Sequence, residues 1–415
     1  MFKLIHTADW HLGHKLDKFD RTHEHEHFFD WLLTHIQEHE IDGILICGDL
    51  FDSSNPSIQA MKLFFDFILQ AKQYCPNIVI TAGNHDSAAR LDAFRSLLHA
   101  LGIYIIGSIP DNLNDCILPL YNRNQELSAY VVAVPYIRPM DLPPPPVLEN
   151  GNQSQQRIIS GISDIYSKLL ASTVSQQSYS RVPIIVTGHL FMVGSQQTSE
   201  SERPIQLEVG NIQGIPVDIF SKDVDYVALG HLHRSQRISY SCPIYYSGSP
   251  LILSFAETDY VHQVLEVQFH EDGKQPVIIP VPVPVLVKMY DISGSFDRIC
   301  ELLNDLAIQY PLFQADEARV RVTITEHEPK TGIKGQILDS VKDSRINILG
   351  IRIQGNNHCF STQQETENRQ LVDLSPIDVF RSMYYEKYPQ SELPNELQQA
   401  FLEILESATQ ILESM

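Results

Sequence analysis

The chain has 415 residues, of which 51 are acidic and 30 are basic, and its formal net charge is −21. This length predicts two or three domains, because a single hydrophobic core rarely grows beyond about 250–300 residues. The acidic balance argues against a free-standing nucleic-acid-binding protein, which is usually basic, so any action on DNA would depend on a metal ion or a partner.

Five short apolar runs of strand length follow one another along the chain, and each stops at a histidine, an aspartate or an asparagine. The runs are residues 2–8, 44–47, 78–82, 183–187 and 224–229. Continuous apolar runs of this kind are typical of strands buried on both faces. Helical spacing of apolar residues in 61–69 and 91–101 predicts helices beside the strands. This alternation predicts an α/β layer fold, whose sheets collect ligands at the carboxyl ends of their strands.

Seven polar residues at these strand ends form a mixed set of nitrogen and oxygen ligands. They are Asp9, His11, Asp49, Asn84, His189, His231 and His233. If Asp49 bridges, the set supplies four protein contacts to each of two metal ions. Imidazole mixed with carboxylate suits manganese, iron or zinc better than calcium. Each short motif alone is more often a turn or a core histidine, but five at successive strand ends predict a dinuclear metal site.

The segment THEHEHFF, residues 22–29, contains H-E-x-x-H, the pattern by which metalloproteases bind zinc on a helix. Its two outer histidines, His23 and His27, share one polar helix face, whereas Phe28 and Phe29 lie on the opposite face. No third ligand follows at a recognisable spacing. We therefore predict that this histidine pair faces solvent and binds no catalytic zinc.

The five strand-end motifs together resemble the calcineurin-like metallophosphoesterases, whose pattern is D-x-H, G-D, G-N-H-D, G-H and G-H-x-H. Longer segments resemble one family among them, the SbcD nuclease subunits of bacterial SbcCD DNA exonucleases. These segments are DWHLGHKL, GDLFDSSNP, GNHDS, VPYIRP, SESER, ALGHLHR and YYSGSP, and they cover most of residues 1–265. The resemblance implies a β-sandwich flanked by helices, with a small α+β capping domain and C-terminal helices.

The resemblance also implies a role for each candidate site residue. One metal would be bound by Asp9, His11, Asp49 and His233, and the second by Asp49, Asn84, His189 and His231. Two Mn²⁺ ions per subunit are expected, and Mg²⁺, Fe²⁺ or Zn²⁺ would also be compatible. His85 would act as a general acid that protonates the leaving 3′-oxygen, and Asp86 would orient it. Archaeal relatives have a histidine at the position of Asp52.

The second half of the chain predicts further modules. The proline-rich and polar residues 141–156 predict a loop inside a nuclease domain that spans residues 1–275. Residues 276–356 read as strand, helix, strand, helix and strand, which by resemblance is a capping domain that helps to select DNA structure. A polar linker is expected at 357–374, followed by a helical partner-binding segment at 375–415.

The last predicted helix carries a continuous apolar stripe that suits a helix bound in the groove of a partner. The stripe comprises Leu397, Phe401, Ile404, Leu405, Ala408, Ile411 and Leu412. The resemblance implies that the partner is the coiled coil of the ATPase subunit SbcC, and that two copies of each subunit form a heterotetramer. The alternative is that the stripe packs against the protein's own domain.

The apolar runs and the spacing of the cysteines predict the cellular compartment of the protein. No stretch reaches the roughly 18 uninterrupted apolar residues of a membrane helix, and the initial MFKLIHTAD predicts a strand instead of a signal peptide. The six cysteines lie far apart and contain no C-x-x-C pair, which predicts reduced thiols. A cytoplasmic protein without membrane association is therefore expected.

The sequence favours a metal-dependent DNA nuclease that acts in the repair, recombination and replication of DNA. By resemblance it would cut single strands endonucleolytically, and would degrade duplex ends and hairpins from 3′ to 5′ with its ATPase partner. Two alternatives stay open. One is a phosphodiesterase for small nucleotides, and the other is a scaffold that tethers DNA ends and uses its metal site for structure.

Overall fold

The computed structural model describes residues 1–17, 19–142, 144, 151–177, 181–196, 214–270, 275–314, 316–325, 332–353, 380 and 384. All of these except Phe380 and Tyr384 belong to one compact unit, Met1–Asn356. The predicted linker and nearly all of the predicted partner-binding segment, with its apolar stripe, lie outside the described residues.

The main part of the molecule contains fourteen described strands and five described α-helices. The strands are β1 (Phe2–Thr7), β2 (Lys15–Leu16), β3 (Phe19–Asp20), β4 (Gly43–Cys47), β5 (Asn77–Thr81), β6 (Ile103–Ile106), β7 (Ile117–Tyr121), β8 (Leu127–Val132), β9 (Ile184–His189), β10 (Tyr226–Gly230), β11 (Gln236–Ile238), β12 (Ile244–Tyr246), β13 (Gln263–Phe269) and β14 (Val277–Pro282). The helices are α1 (Thr22–Glu38), α2 (Ile58–Tyr74), α3 (Ala88–Ala93), α4 (Arg95–Ala100) and α5 (Gly151–Gln176).

Two six-stranded mixed sheets form the centre of this part. The first has the order β14-β13-β1-β4-β5-β6, and the second has the order β11-β12-β10-β9-β8-β7. In both sheets four consecutive strands run parallel, from β1 to β6 in the first and from β12 to β8 in the second. The carboxyl ends of β1, β4, β9 and β10 therefore lie at one edge of the sandwich, where the candidate ligands follow.

Successive side chains along each strand of the first sheet point to opposite faces, and each face packs in a different hydrophobic core. Leu4, Leu45 and Val79 pack in the cluster that also contains the second sheet and α5. Their neighbours Ile44 and Ile78 pack against α1 and α2 on the other face. Each side chain of this type contributes roughly 1.5–3 kcal/mol when it is fully buried. The order of layers is therefore helices, sheet, sheet and helix, which is the predicted sandwich flanked by helices.

A smaller module follows and confirms the predicted order of elements. It comprises β15 (Val287–Gly294), α6 (Phe296–Gln309), β16 (Glu317–Ile324), α7 (Ile333–Val341) and β17 (Ile346–Ile353), and its three strands pair in parallel in the order β15-β16-β17. The helices cover a separate core of aliphatic and aromatic side chains. The boundary near residue 275 stays a prediction.

Buried charged groups connect this small module to the main sandwich. Arg319 of β16 is 3% exposed and donates to the carboxylate of Glu24 on α1 at 2.7 Å. The same carboxylate accepts from Arg21 at 2.9 Å. Nearby, the guanidinium of Arg321 lies 4.9 Å from the centre of the Phe255 ring. Removal of one partner would leave a buried charge unpaired, so these contacts specify how the module sits beside the ligand loops.

Two predictions about local structure are corrected. The expected loop at 141–156 ends earlier, because helix α5 begins at Gly151. Its apolar residues Ile158, Ile162 and Tyr166 are spaced one turn apart and pack on the second sheet. This spacing predicts a helix, but the polar residues before it favoured a loop. The expected helix over 91–101 is divided at Phe94 into α3 and α4.

Other predictions are confirmed where the structure describes them. All five apolar runs contain strands, and α2 covers the expected helix. His23 is 84% exposed, so the first histidine of H-E-x-x-H faces solvent as predicted. The five described cysteines are free thiols, and Cys359 lies outside the described residues. Within the described part of the chain, no helix combines the length and the apolar character that a membrane crossing requires.

Candidate metal centre

The seven predicted ligands are carried by turns at the carboxyl ends of strands. Asp9 and His11 follow β1, Asp49 follows β4, and Asn84 follows β5. His189 is the last residue of β9, and His231 and His233 follow β10. Because these strands are parallel and belong to two facing sheets, their ends converge from both sides. The structure brings together all seven residues that the sequence predicted.

Four of these seven residues have a backbone conformation that is uncommon for residues other than glycine. The φ angles are 56° for Asp9, 48° for His11, 49° for Asp49 and 100° for His231. Such conformations are retained only where the surroundings enforce them, and they cluster at functional sites. The turns are therefore shaped to aim these side chains inward.

Glycines beside the ligands are needed because the two sheets approach closely at this edge. Gly48 has a φ of 91°, and a Cβ atom there would overlap the ring of His189. A Cβ atom on Gly230 would overlap the carbonyl oxygen of Cys47. Glycine is required at these two positions because any larger side chain would collide with the facing sheet.

The first group of ligand atoms belongs to Asp9, His11 and His233. One side-chain donor atom from each lies within 4.8 Å of the other two, and all three residues are buried. Nε2 of His11 has no hydrogen-bond partner although it is buried, and it lies 3.7 Å from Oδ2 of Asp49. A buried polar atom without a partner is costly, and a bound cation would satisfy it.

The second group belongs to Asp49, His189 and His231, and Asn84 lies against it. Nε2 of His189 is 3.3 Å from Oδ2 of Asp49 and 3.0 Å from Oδ1 of Asn84. Nδ1 of His231 is 3.1 Å from the same asparagine oxygen. The amide oxygen thus lies between two imidazole nitrogens, as it would when all three face one cation.

The two groups share Asp49, and a backbone contact ties them together. Oδ2 of Asp49 lies between Nε2 of His11 in the first group and Nε2 of His189 in the second. The carboxylate of Asp9 accepts the backbone N–H of His231 at 2.9 Å. This arrangement fits the predicted bridging position of Asp49 and could hold two ions side by side.

Electrostatics of the site also fit a cation. Burial raises the pKa of Asp9, and burial together with His189 lowers the pKa of His231 to about 3. Burial opposes charge on Asp49 and on His189, but the attraction between the two holds the pKa of Asp49 well below its usual range and raises that of His189 to about 9. A nearby positive charge therefore stabilises the buried carboxylates. A metal ion would supply that charge in place of the proton on His189.

Contacts on the far side of the imidazole rings direct the other nitrogen into the site. Nδ1 of His189 faces the carbonyl oxygen of Cys47 at 3.0 Å. Nδ1 of His233 faces Oε1 of Glu257 at 3.0 Å, and Glu257 is completely buried. A carboxylate or carbonyl partner of this kind fixes the tautomer of a metal-binding histidine and raises its basicity.

Glu257 is a site residue that the sequence did not reveal. It lies in the segment SFAET, which carries no metal-binding or catalytic pattern. Its second oxygen, Oε2, accepts the backbone N–H of Leu253 at 2.9 Å, so the carboxylate is held from both sides. Only the folded chain brings it to His233, 24 residues away.

Replacing Glu257 by glutamine is expected to weaken metal binding or activity about 10–100-fold, because the neutral amide lowers the basicity of His233. Glutamine conserves the shape but offers one acceptor oxygen where two are used, so the melting temperature is measured to separate a folding defect from weaker metal binding. Metal titration by isothermal calorimetry measures the effect. Asp259→Asn, an exposed carboxylate in the same loop, is the matched control. Equal affinities for the two variants would contradict a role for Glu257 in orienting His233.

The two residues after Asn84 take different positions from the ligands. The backbone N–H of His85 donates to Oδ1 of Asp49 at 2.9 Å, and its Nδ1 faces the carbonyl oxygen of Asp52 at 3.0 Å. The His85 ring centroid lies 4.9 Å from that of His11, and the ring is half-buried. His85 thus lies beside the ligand groups with its Nδ1 fixed. A general acid needs this kind of position, because its other nitrogen can then face the substrate.

Asp86 does not make the contact that was expected of it. Its carboxylate is buried and accepts the backbone N–H groups of Gly83, Leu50 and Phe51 at 2.8–3.1 Å. These bonds join the turn after β5 to the turn after β4. The orienting partner of His85 is the carbonyl oxygen of Asp52 instead, so Asp86 shapes the site through the backbone.

Asp52 also acts on a predicted ligand. Its Oδ1 lies 3.4 Å from Nδ1 of His11, which turns Nε2 of that ring toward Asp49. Asp52 therefore contacts both a predicted ligand, His11, and the proposed general acid, His85.

Comparisons with known proteins agree with this geometry. Residues 2–235 match the calcineurin-like phosphoesterase family, and residues 285–388 match a family described as the type 5 capsule protein repressor C-terminal domain. The chain is 31% identical over 397 residues to the SbcD subunit of nuclease SbcCD from Escherichia coli K12, covering 94% of each chain. It is 33% identical over 317 residues to the SbcD subunit from Rhodobacter capsulatus, covering 74% of this chain and 76% of that one. The SbcD subunit from Bacillus subtilis is 34% identical over 265 residues, 63% of this chain and 65% of that protein.

Proposed function

This chain belongs to the SbcD family of calcineurin-like phosphoesterases, and we propose that it is the nuclease subunit of an SbcCD-type complex. It is a metal-dependent hydrolase that cleaves phosphodiester bonds in DNA. The observation that carries the proposal is the pair of ligand groups that share Asp49 at the convergent strand ends. The SbcD relatives, which are similar to this chain over most of its length, point to the same reaction.

Two Mn²⁺ ions are the proposed cofactors, with Mg²⁺, Fe²⁺ or Zn²⁺ as chemically compatible substitutes. One ion would be held by Asp9, His11, Asp49 and His233, and the other by Asp49, Asn84, His189 and His231. When bound, such a pair lowers the pKa of a water molecule and neutralises charge on the attacking and leaving oxygens of a phosphoryl displacement. The donor set of imidazole and carboxylate agrees with this choice.

Hydrogen bonds within the chain hold the side chains that would contact the substrate. Asp49 and Asp9 fix the backbone N–H groups of His85 and His231, so the loops that carry these side chains hold their positions during turnover. His85 keeps its Nδ1 on the carbonyl oxygen of Asp52, which leaves Nε2 to donate a proton to the leaving 3′-oxygen.

DNA is the proposed substrate, although the net charge of −21 does not favour DNA binding by the chain alone. We propose that the ATPase partner SbcC supplies most of the affinity for duplex ends, and that the protein forms a homodimer within a heterotetramer. Alone it would cut single strands endonucleolytically; with its partner it would degrade duplex ends from 3′ to 5′ and open hairpins. We propose that these activities serve the repair, recombination and replication of DNA, and that the protein acts in the cytoplasm.

The proposed domains are a nuclease domain at 1–275, a capping domain at 276–356, a linker at 357–374 and a partner-binding segment at 375–415. The buried contact between Arg319 and Glu24 supports a capping module that sits in a fixed position on helix α1. In that position it would restrict which DNA structures reach the metal centre.

A substrate comparison tests the proposed function. Purified protein is incubated with Mn²⁺ and either a single-stranded oligonucleotide or a small aryl phosphodiester. We expect cleavage of the oligonucleotide that EDTA abolishes, and slow turnover of the small ester. Rapid turnover of the ester without DNA cleavage would indicate a small-nucleotide phosphodiesterase, and binding of DNA ends without any cleavage would indicate a tethering scaffold.

A further inference from the structure

A second cluster of metal-ligand side chains lies outside the candidate metal centre, at the carboxyl-terminal end of helix α1. His35 and His39 are one helical turn apart, and Glu266 approaches them from strand β13. Nε2 of His35 lies 3.2 Å from Oε2 of Glu266, and Nδ1 of His39 lies 3.5 Å from the same oxygen. One donor atom from each residue lies within 4.8 Å of the other two.

These separations match the geometry of a bound transition metal. Zinc binds histidine nitrogen and carboxylate oxygen at about 2.0–2.2 Å in a tetrahedral arrangement, so two of its ligands lie about 3.4 Å apart. The two distances between the histidines and Glu266 bracket this value. The imidazole rings are stacked, with centroids 4.0 Å apart and planes inclined by 25°, so the half-exposed ring of His39 would turn out of the stack for both nitrogens to bind one ion.

The cluster is held in place by its surroundings before any ion binds. Glu266 is 3% exposed and lies within β13 between β1 and β14, and its Oε1 accepts from Gln268 at 2.7 Å. That bond leaves Oε2 for the histidines. The ring of Trp31 stacks on His35, and Nζ of Lys3 donates to the carbonyl oxygen of His39 at 2.9 Å. Glu266 and His35 are thereby fixed before an ion binds and lose little freedom on binding.

The charge and exposure of the cluster also suit a divalent cation. Glu266 supplies the single negative charge of the set. The side chain of His39 is 49% exposed, so one coordination position faces solvent and remains open to water.

This cluster is separate from the candidate metal centre. Helix α1 begins beside the first ligand loop, where Nε2 of His25 faces the carbonyl oxygen of Trp10 at 2.8 Å. At a rise of about 1.5 Å per residue, His35 lies about 15 Å farther along the helix axis. None of the three residues contacts a ligand of the first site among the described hydrogen bonds and ion pairs.

We propose that His35, His39 and Glu266 form a second metal site, which binds one divalent transition-metal ion of the Zn²⁺ class through three protein ligands and a solvent-exposed fourth position. The ion fastens the end of α1 to β13 and so stabilises the layer that carries the first ligand loop. The proposal concerns an ion count and does not depend on the reaction at the other centre.

The matched histidine pair on the same helix makes a direct test possible. His39→Ala removes a half-exposed ligand, whereas His23→Ala removes an exposed histidine that faces solvent. Each variant and the wild type are dialysed against micromolar Zn²⁺, and bound zinc is counted by mass spectrometry of the metal. We expect His39→Ala to bind one equivalent less than the wild type, and His23→Ala to bind the same number.

A second measurement excludes loss of metal through unfolding. Zn²⁺ should raise the melting temperature of the wild type more than that of His39→Ala, while Mn²⁺-dependent cleavage by His39→Ala stays at the wild-type rate. His35→Ala should lose the same equivalent of zinc. Equal zinc counts for the wild type and both variants would overturn the proposal, and would show that Glu266 only accepts hydrogen bonds from the two histidines.

Discussion

Replacing His85 by glutamine is expected to lower the rate of DNA cleavage about 10²–10⁴-fold, the usual contribution of a general acid, while the metal content stays unchanged. His85 lies beside the ligand groups, but its Nδ1 faces the carbonyl oxygen of Asp52 and its ring joins neither ligand triad. Glutamine preserves much of the volume and cannot supply the proton. Cleavage of a single-stranded oligonucleotide with saturating Mn²⁺ measures the rate, and metal analysis measures the content.

The control for this variant is His23→Gln, because His23 is an exposed histidine that belongs to neither ligand group. It should cleave at the wild-type rate. A metal content reduced by half in His85→Gln would show that His85 is a ligand, and a wild-type rate would show that no proton passes through it. The second outcome would remove His85 from the proposed mechanism and leave the nuclease assignment intact.

Deleting residues 391–415 is expected to abolish co-purification with the ATPase partner and ATP-stimulated processing of duplex ends. The predicted helix there presents an apolar stripe, and each leucine, isoleucine or phenylalanine that becomes fully buried contributes roughly 1.5–3 kcal/mol. Four or five such side chains would supply most of a tight interaction, even after the cost of ordering the segment. Manganese-dependent cutting of single strands should persist, because every candidate ligand precedes the deletion.

A pair of point variants tests the stripe without shortening the chain. Leu405→Asp places a charge on the apolar stripe, whereas Gln399→Asp places the same charge on the opposite face of the predicted helix. Pull-down with the ATPase should fail for the first and succeed for the second. Aggregation or loss of bound metal in Leu405→Asp would indicate that the stripe packs on the protein's own domain. Full complex formation would indicate a docking surface elsewhere.

The candidate ligands could be predicted from sequence because each one ends a buried parallel strand. A strand such as β9 reads as a continuous apolar run, and the residue at its carboxyl end must lie at the sheet edge where ligands collect. The small module was predictable for a related reason. Its strands and helices are short, regular and adjacent in the chain, so the local periodicity of apolar residues specifies them.

Contacts between distant segments were not predictable in this way. Glu257 acquires its role only because the turn after β12 folds back on His233, and no local pattern marks it. The partners of Asp86 are backbone N–H groups from another turn, which a residue pattern cannot show. The start of α5 was missed because its first turn is polar and follows a run of prolines.

Helix α1 shows the same limit with two histidine pairs at identical spacing. The pair His23 and His27 matches a familiar zinc pattern, yet the structure gives it no ligand partner among the described metal-binding groups. The pair His35 and His39 matches no familiar pattern, yet β13 brings Glu266 against it. Spacing on one helix decides which side chains share a face, and only the neighbouring strand decides whether that face can bind a metal.

Anomalous diffraction at the manganese edge, from crystals grown with Mn²⁺, tests the central claim most directly. The two ligand groups predict two anomalous peaks about 3.5–4 Å apart, both within bonding distance of the Asp49 carboxylate. One peak should lie against Asp9, His11 and His233, and the other against Asn84, His189 and His231. A single peak at these strand ends, or a pair of peaks there that does not contact Asp49, would contradict a bridged dinuclear centre.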